Sequence, residues 1–281
     1  MQSFLGQGIR KDPDDKRDYL FTSFVPANGK KIASIDIPKY VDYRDEMTPV
    51  KFQGNLGSCV AFSVAAIKEW ADQKEHNREV IAGKEYKREE EHYNYSEQWV
   101  YWNCKKIDPW PNEEGTNFRS AMKVLNKIGV PPEDAWPYKD TAIDIGQPEK
   151  WSHLIARWGK IGSYWRINGL QQVKEALTNG PLLIGIHCFE EMFGNLVNGV
   201  IPYPKNPNES YGGHAIAVVS FDDDKGLLGF KNSWSVFWGD RGYGYLPYEY
   251  IDDFMIDAWV MEDMSVQIGD LEGSSEILEK G

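Results

Sequence analysis

Apolar positions in the first half of the chain recur at the spacing of helices. Residues 59–67 are apolar on nearly every side, which predicts a buried helix that begins just after Ser58. Ser96 and Asn117 each precede another helical stretch, and both residue types are common helix N-caps. Gly129 follows the apolar stripe that starts after Asn117 and is the expected stop signal of that helix. The first half is therefore predicted to be helical.

Apolar runs in the second half are short and separated by turn residues. Residues 182–186, 215–221, 227–230 and 243–246 are predicted strands, and residues 170–178 are a short predicted helix. The second and third of these strands flank a turn rich in Asp and Gly, which predicts a β-hairpin. Helices first and strands later indicate an α+β fold with two lobes.

The charge and the cysteine content narrow the possible partners. The chain has 31 basic and 43 acidic residues among 281, a net charge of −12. This balance disfavours a nucleic-acid partner, because phosphate binding needs a positive surface. No run of about 18 apolar residues occurs, so we expect no membrane-spanning helix. Three cysteines, and an N-terminus without an apolar signal segment, predict the cytoplasm or another reducing compartment.

Composition divides the chain into three parts. Residues 1–36 are polar and charged and are predicted to be an N-terminal arm, either a flexible extension or a short regulatory pro-segment. Residues 37–261 are the predicted globular domain, with a helical lobe over about 47–150 and a β-rich lobe over about 151–261. Residues 262–281 lose apolar periodicity and are a predicted C-terminal tail.

Cys59 is a candidate nucleophile because it lies in the first turn of the predicted buried helix. The positive end of the helix dipole favours the thiolate, which is the reactive form of cysteine. For Cys59 considered alone, a small core residue is an equally reasonable interpretation, because unpaired cysteines are often buried.

His214 and Asn232 lie at the outer ends of the predicted hairpin. If the turn is centred near Asp223, the two residues are direct or near-direct cross-strand neighbours, with Cβ atoms about 5 Å apart. The asparagine would then orient the imidazole, as the third member of a catalytic triad does. Considered singly, a core histidine and a turn-forming asparagine are also reasonable interpretations.

The sequence lacks the patterns typical of metal and nucleotide sites. It contains no CxxC, HExxH, GxGxxG or Walker motif, and the adjacent His187 and Cys188 would point to opposite faces of a strand. We therefore expect no metal and no organic cofactor.

Several blocks of sequence, in this order, resemble the papain-like cysteine peptidases, the family that includes the cathepsins. The blocks are IPKYVDYR at 37–44, TPVKFQG at 48–54, GSC at 57–59, AFS at 61–63, SEQ at 96–98, GHA at 213–215, NSW at 232–234 and GYGY at 242–245. The resemblance extends from about residue 37 to residue 261, and the shared order of the blocks makes it highly specific.

The resemblance implies a papain-like two-lobed fold, with a helical lobe, a β-barrel-like lobe and the active site in the cleft between them. It implies that Cys59 attacks the scissile carbonyl, that His214 exchanges the proton, and that Asn232 orients His214. Gln53 would donate to the oxyanion, and Trp234 would shield the bond between His214 and Asn232. The implied substrate-binding residues are Gly115, Phe118, Gly213 and Trp234.

The chain departs from the family pattern at its cysteines. Leu56 and Val60 replace the first Cys and the Trp of the usual signature, and residues 112–116 lack the usual partner cysteine. Both halves of one disulfide are missing together, which agrees with a reducing compartment. Of the paired glycines that bind extended substrate in the family, only Gly115 is clearly retained.

The predicted function is a cysteine endopeptidase that acts on peptides or proteins through an acyl-enzyme. Two alternatives remain, a catalytically silent papain-like scaffold kept for binding and an acyl transferase that uses the same acyl-enzyme. We also expect the arm to enter the cleft and restrain the enzyme, as in a zymogen; a structural arm packed elsewhere is the alternative. The apolar arm residues expected to dock are Phe4, Leu5, Tyr19, Leu20 and Phe21.

Overall fold

A computed structural model of the chain describes residues 8–23, 37–81, 93–140 and 146–263. The described helices are α1 (Cys59–Ile81), α2 (Glu97–Ile107), α3 (Phe118–Lys127), α4 (Lys150–Ile155), α5 (Gly169–Leu177) and α6 (Tyr248–Phe254). The described strands are β1 (Tyr40–Asp42), β2 (Ile161–Arg166), β3 (Leu182–Cys188), β4 (Gly212–Asp222), β5 (Leu227–Lys231), β6 (Tyr243–Pro247) and β7 (Met255–Asp263). This order, with α1 to α3 before most of the strands, confirms the predicted α+β fold class.

The strands form one antiparallel sheet in the order β2-β7-β3-β4-β5-β6, and β1 pairs with the far end of β4. β4 is the longest strand and lies near the centre, between β3 and β5. β7 extends through Asp263, two residues into the predicted tail, whose remaining residues lie outside the described part of the chain.

Two apolar cores lie on either side of the junction between α1 and β4. The first core joins α1, α2 and α3 through buried side chains such as Val60, Trp99 and Leu125. The second joins strands β3 to β6 with α5 and α6, through side chains such as Ile184 and Phe230. The predicted division into a helical lobe and a β-rich lobe matches these two cores, and the cleft lies where they meet.

The caps of α2 and α3 act as their residue types predict. Ser96 Oγ accepts the backbone N–H of Trp99 at 3.1 Å, and Asn117 Oδ1 accepts the backbone N–H of Ser120 at 3.0 Å. The Asn117 cap fixes the start of α3 directly after residues 115 and 116, which line one wall of the cleft. Within the described ranges, no helix is both long and apolar enough to cross a bilayer.

Candidate active site

Cys59 is the first residue of α1 and is completely buried where this helix meets β4. The backbone N–H of Ala215, on β4, donates to Cys59 Sγ at 3.4 Å. The contact places the thiol beside the chain segment that carries His214. A helix N-terminus and a sheet strand from different lobes therefore meet at one sulfur atom.

His214 is buried, and its imidazole is held on one edge and one face. Its Nε2 lies 2.8 Å from Asn232 Oδ1, and its ring stacks on Trp234 with 4.3 Å between the centroids. Asn232 Oδ1 also accepts the backbone N–H of Ser233 at 2.8 Å, which fixes the orientation of the amide. Among the described residues, His214 Nδ1 has no hydrogen-bond partner, so this nitrogen is the one left to exchange a proton with a thiol.

The predicted register between His214 and Asn232 is wrong by two residues. β4 pairs with β5 through Ala217↔Lys231, a register in which residue 216 would face Asn232. Side chains offset by two residues on neighbouring strands are still within reach of each other. The hydrogen bond between His214 and Asn232 therefore forms on a diagonal of the sheet rather than directly across it.

Gln53 is fully buried on a segment that runs beside residues 232–234. Its backbone N–H donates to Ser233 O at 2.9 Å, and its Nε2 donates to Leu56 O at 2.9 Å. The hydroxyl of Ser233 donates to Gln53 Oε1. These bonds hold the amide of Gln53 against the loop that leads into Cys59.

The N-terminal arm lies across this site and pairs with both walls of the cleft. Thr116 N–H donates to Gly8 O at 2.8 Å, and Arg10 N–H donates to Thr116 O at 2.9 Å, which makes a parallel β-bridge. Ile9 N–H donates to Gly213 O at 3.2 Å. Thr116 belongs to the helical lobe and Gly213 to the β-rich lobe, so residues 8–10 span the cleft.

Close backbone contacts hold Gly8 immediately beside the loop before Cys59. A Cβ on Gly8 would stand 2.1 Å from Gly57 O, and a Cβ on Gly115 would stand 2.3 Å from Gly8 O. Gly115 also has a φ of +85°, which a residue with a side chain adopts only under strain. Glycine at these positions lets the two backbones approach one another.

Ile9 fills an apolar pocket next to the buried thiol and is only 6% exposed. Its Cδ1 lies 2.6 Å from where a Cβ on Gly185 would stand, and its Cγ2 lies 2.8 Å from the corresponding position on Gly213. Phe118 and Ile256 approach the same two glycines. The missing side chains of Gly185 and Gly213 therefore provide the space that Ile9 occupies.

Burial sets the charge state of the thiol and the imidazole. It raises the pKa of Cys59 to about 11, although the amides of Ala215, Gly8 and Ile9 oppose this change. Burial also lowers the pKa of His214 to about 4, against a smaller opposite effect of Asn232. Both shifts favour the neutral thiol and the neutral imidazole while the arm is seated, which opposes the thiolate that the helix dipole favours.

The arm residues that dock differ from those expected. Phe21 is 1% exposed, but it packs in the core of the β-rich lobe, and Tyr19 and Leu20 are 64% and 48% exposed. Ile9 enters the cleft instead. A single isoleucine in a polar stretch has no periodic pattern that would have marked it. Outside the described residues lie Phe4 and Leu5.

The four residues predicted to bind substrate all border the region just described. Gly115 and Gly213 contact the arm backbone, Phe118 lies beside the Ile9 pocket, and Trp234 covers His214. Sequence reasoning missed Thr116, because it contributes only backbone groups. It also missed two pocket residues, Gly185 and Ile256.

Among the described residues, one group of carboxylates has its oxygens close enough to hold a cation. It consists of Asp72, Glu75 and Asp263, with ligand atoms within 4.8 Å of one another. Lys68 Nζ donates to Asp72 at 2.6 Å and to Asp263 at 2.7 Å, so a lysine already supplies positive charge there. Asp72 lies about 20 Å along α1 from Cys59, at about 1.5 Å per residue, and so takes no part in the cleft.

Comparison with known proteins agrees with this geometry. The sequence profile of the papain family cysteine proteases matches residues 37–258. An uncharacterized peptidase C1-like protein of Acanthamoeba polyphaga mimivirus is 29% identical, over 92% of this chain and 87% of the viral protein. Cathepsin K of Mus musculus is 29% identical, and the match covers 75% of this chain and 60% of cathepsin K.

A solved structure shares both the fold and the extent of the chain. Xylellain, a cysteine protease from Xylella fastidiosa, is 29% identical with a TM-score of 0.76. The superposition covers 92% of this chain and 97% of xylellain, so it includes more than the lobes alone. The chain belongs to the papain family of cysteine proteases.

Proposed function

We propose that this protein is a cysteine endopeptidase that hydrolyses peptide bonds through Cys59, His214 and Asn232, and that its own arm restrains it. The observation that carries the proposal is that the buried Cys59 thiol is bonded to the backbone of Ala215, the residue after His214, whose imidazole is held by Asn232 beneath Trp234. Each of these groups is buried and fixed by neighbours, as a nucleophile, a base and an orienting group require.

The first half of the reaction forms a thioester. His214 Nδ1 takes the proton of the thiol, and the Cys59 sulfur bonds to the carbonyl carbon of the substrate. The Gln53 amide and the Cys59 backbone N–H stabilise the oxyanion, each such donor contributing on the order of 3 kcal/mol. The C–N bond then breaks, and His214 returns its proton to the leaving amine.

The second half regenerates the thiol. His214 removes a proton from water, whose oxygen bonds to the thioester carbon. The C–S bond breaks, the carboxylic acid product leaves, and the sulfur recovers a proton. Asn232 keeps Nε2 of the imidazole occupied throughout, so the same nitrogen, Nδ1, performs every transfer.

The seated arm would prevent this sequence in two ways. Residues 8–10 occupy the backbone groups of Thr116 and Gly213, and Ile9 fills the apolar pocket beside them. The burial of Cys59 and His214 also disfavours the charged thiolate and imidazolium. We therefore infer that the enzyme becomes active when the arm leaves the cleft.

The test combines active-site labelling with a variant that disturbs only the seated residue. In Ile9→Arg, a cysteine-directed epoxide should label Cys59 faster than in the native chain. Hydrolysis of a dipeptidyl fluorogenic substrate should rise about tenfold or more in kcat/KM, because burial of an isoleucine contributes about 1.5–3 kcal/mol to seating. The matched control is Tyr19→Arg, which changes an exposed side chain of the same arm.

Each part of the proposal has its own contrary result. An unchanged kcat/KM in Ile9→Arg, with Cys59 labelled, would contradict restraint by the arm but not the peptidase. Failure of Cys59 to be labelled in either chain would contradict the peptidase and favour the silent scaffold. Product analysis with and without an added amine separates hydrolysis from acyl transfer, because only a transferase yields mainly the amide.

A further inference from the structure

The segment of the arm that follows residues 8–10 is held by a buried cluster of charges. Asp12 is 1% exposed, and its Oδ2 accepts the backbone N–H of Arg119, on α3, at 3.1 Å. Its own backbone N–H donates to Asp257 Oδ2, on β7, at 3.3 Å. Asp18 forms an ion pair with Arg119 at 2.6 Å. The cluster joins the arm to both lobes.

The remaining charges of this cluster come from β2 and from the arm itself. Arg166, on β2, pairs with Asp257 at 3.0 Å, donates to the backbone oxygen of Asp12 at 3.2 Å, and approaches Asp18 at 3.5 Å. Asp14 also lies 3.5 Å from Arg166, but its side chain is fully exposed. Also near Asp12 are the polar groups of Cys104 and Tyr164.

The buried part of the cluster holds more negative than positive groups. Its carboxyl groups are Asp12, Asp18 and Asp257, and its guanidinium groups are Arg119 and Arg166. One carboxylate is therefore left without a compensating cation. Asp12 Oδ1 has no hydrogen-bond partner among the described residues, and its nearest cation is Arg119 Nη1 at 3.5 Å. A bound proton removes this excess charge at the lowest cost.

We propose that Asp12, held beside Asp257, carries a proton when the arm is seated, and that this buried carboxyl group is a latch that holds the arm in mildly acidic solution and loosens it toward neutral pH. An effect of this latch on activity rests on the proposed function, in which the arm restrains the enzyme. The pH dependence of arm seating does not depend on catalysis.

The direction of the pH effect follows from the proton balance. Burial, and then the charge of Asp257, raise the pKa of Asp12 from 3.8 to about 7 in the seated arm. A released Asp12 is hydrated and regains its ordinary pKa. Between these two values the seated arm binds more protons than the released arm, so raising the pH weakens seating by up to about tenfold per pH unit. Above about pH 7 no further change is expected.

Hydrogen exchange of the full-length chain tests the latch without any substrate. The protection of the Ile9 and Arg10 amides, corrected for intrinsic exchange, should fall between pH 5 and pH 7, while that of Val218 in β4 should stay constant. In Asp12→Asn the protection should lose this slope, because the titrating group is gone. The matched control is Asp14→Asn, on the same arm with an exposed carboxylate, which should keep the slope.

The contrary results are equally definite. A native chain whose Ile9 and Arg10 protection does not change with pH, or equal slopes in Asp12→Asn and Asp14→Asn, would overturn the latch. If Asp12→Asn fails to seat its arm, Asp257→Asn provides the second reading: it removes a negative charge that raises the pKa of Asp12, so the fall in protection should move to lower pH. An arm that shows the predicted slope but does not inhibit hydrolysis would refute the restraint and leave the latch intact.

Discussion

The reactivity of Cys59 depends on whether its surroundings are dry or hydrated. With the arm seated, burial holds the thiol and His214 in neutral forms. We expect departure of residues 8–10 to hydrate both groups and to leave the helix dipole and the imidazole to favour the thiolate. One side chain can thus be inert in one state and nucleophilic in the other, without any change in its covalent structure.

Alkylation at pH 6 reports this difference directly. In Ile9→Arg, a limiting dose of iodoacetamide should modify Cys59 first, because burial raises the pKa of Cys104 and Cys188 and neither lies in the first turn of a described α-helix. In the native chain the same reaction should be markedly slower. Peptide mapping of the adducts gives the order, and equal modification of all three thiols would contradict the assignment of Cys59.

Asn232 is expected to affect the transition state more than substrate binding. Asn232→Ala removes the 2.8 Å bond to His214 Nε2, which strengthens when the imidazole is charged. A hydrogen bond to a charged group contributes about 1.5–3 kcal/mol, so kcat should fall roughly tenfold to a hundredfold. Steady-state kinetics in the Ile9→Arg background should show little change in KM. A change confined to KM would argue against a triad.

At the scale of elements, the arm combines a plug and an anchor. Ile9 lies in the cleft, whereas Phe21 lies in the core of the β-rich lobe with Ile167 and Leu182. Under the proposed restraint, we expect Ile9 to control access to the cleft and Phe21 to contribute to stability. Removing the whole arm would therefore confuse activation with loss of folding.

Substitution of the anchor should lower stability rather than release activity. Phe21→Ala empties a site that is 1% exposed, and truncations of this kind cost about 3–5 kcal/mol. Urea unfolding followed by tryptophan fluorescence should show this loss, whereas Ile9→Arg should lower the free energy of unfolding by no more than the roughly 1.5–3 kcal/mol that its burial contributes to seating. Equal activity gains in the two variants would contradict the separation of plug and anchor.

The elements that sequence predicted well carry strong local signals. Ser96 and Asn117 cap their helices by bonding a backbone amide three residues on, a purely local interaction. β7 has no such signal, because the charged Asp257 interrupts its apolar pattern and is paired with Arg166 of β2. Such a strand is specified by its neighbours in the sheet, which a single sequence does not display.

In the site, too, residues with a local sequence signal were predicted, and features that depend on distant contacts were not. The residue types that carry chemistry, Cys59, His214 and Asn232, stand in recognisable blocks, and the structure brings them to one place. The backbone of Ile9 and its neighbours bonds to the backbone of Thr116 and Gly213. Because residues of almost any type can form backbone hydrogen bonds, the sequence gives no sign of this contact. The hairpin register was missed because the turn between β4 and β5 is centred between Asp224 and Lys225 rather than at Asp223. The bulge between Val218 and Ser220 then brings the pairing one residue back toward the predicted register.

At the scale of the molecule, a buried ionic network links the lobes behind the cleft. Glu69, on α1, accepts bonds from Lys51 and from Thr48, each at 2.6 Å. Lys231, on β5 next to Asn232, donates to Thr48 at 3.0 Å. The network thus reaches from the helical lobe to the residue before the orienting asparagine.

Loss of the central carboxylate should destabilise the whole fold. Glu69→Ala removes one of the two carboxylates that pair with Lys51, Glu97 being the other, and leaves the Thr48 hydroxyl without its acceptor. Breaking a buried ion pair by removing one partner costs about 3–5 kcal/mol. Thermal unfolding should show a clear drop in Tm for Glu69→Ala. The exposed Glu249→Ala, at the start of α6, should stay within about 0.5 kcal/mol of the native chain. Near-native stability of Glu69→Ala would show that the lobes do not depend on this network.

The anchoring of Phe21 has a consequence for how the enzyme responds to its surroundings. A plug that leaves the cleft remains tied to the same molecule at Phe21, so it competes with substrate at a fixed local concentration, on the order of millimolar for a short tether. Diluting the protein therefore cannot activate it, and a freshly diluted sample should show no lag that depends on enzyme concentration. We expect the rate per enzyme molecule to depend on the substrate concentration relative to this fixed local concentration of the arm. It should not depend on the enzyme concentration.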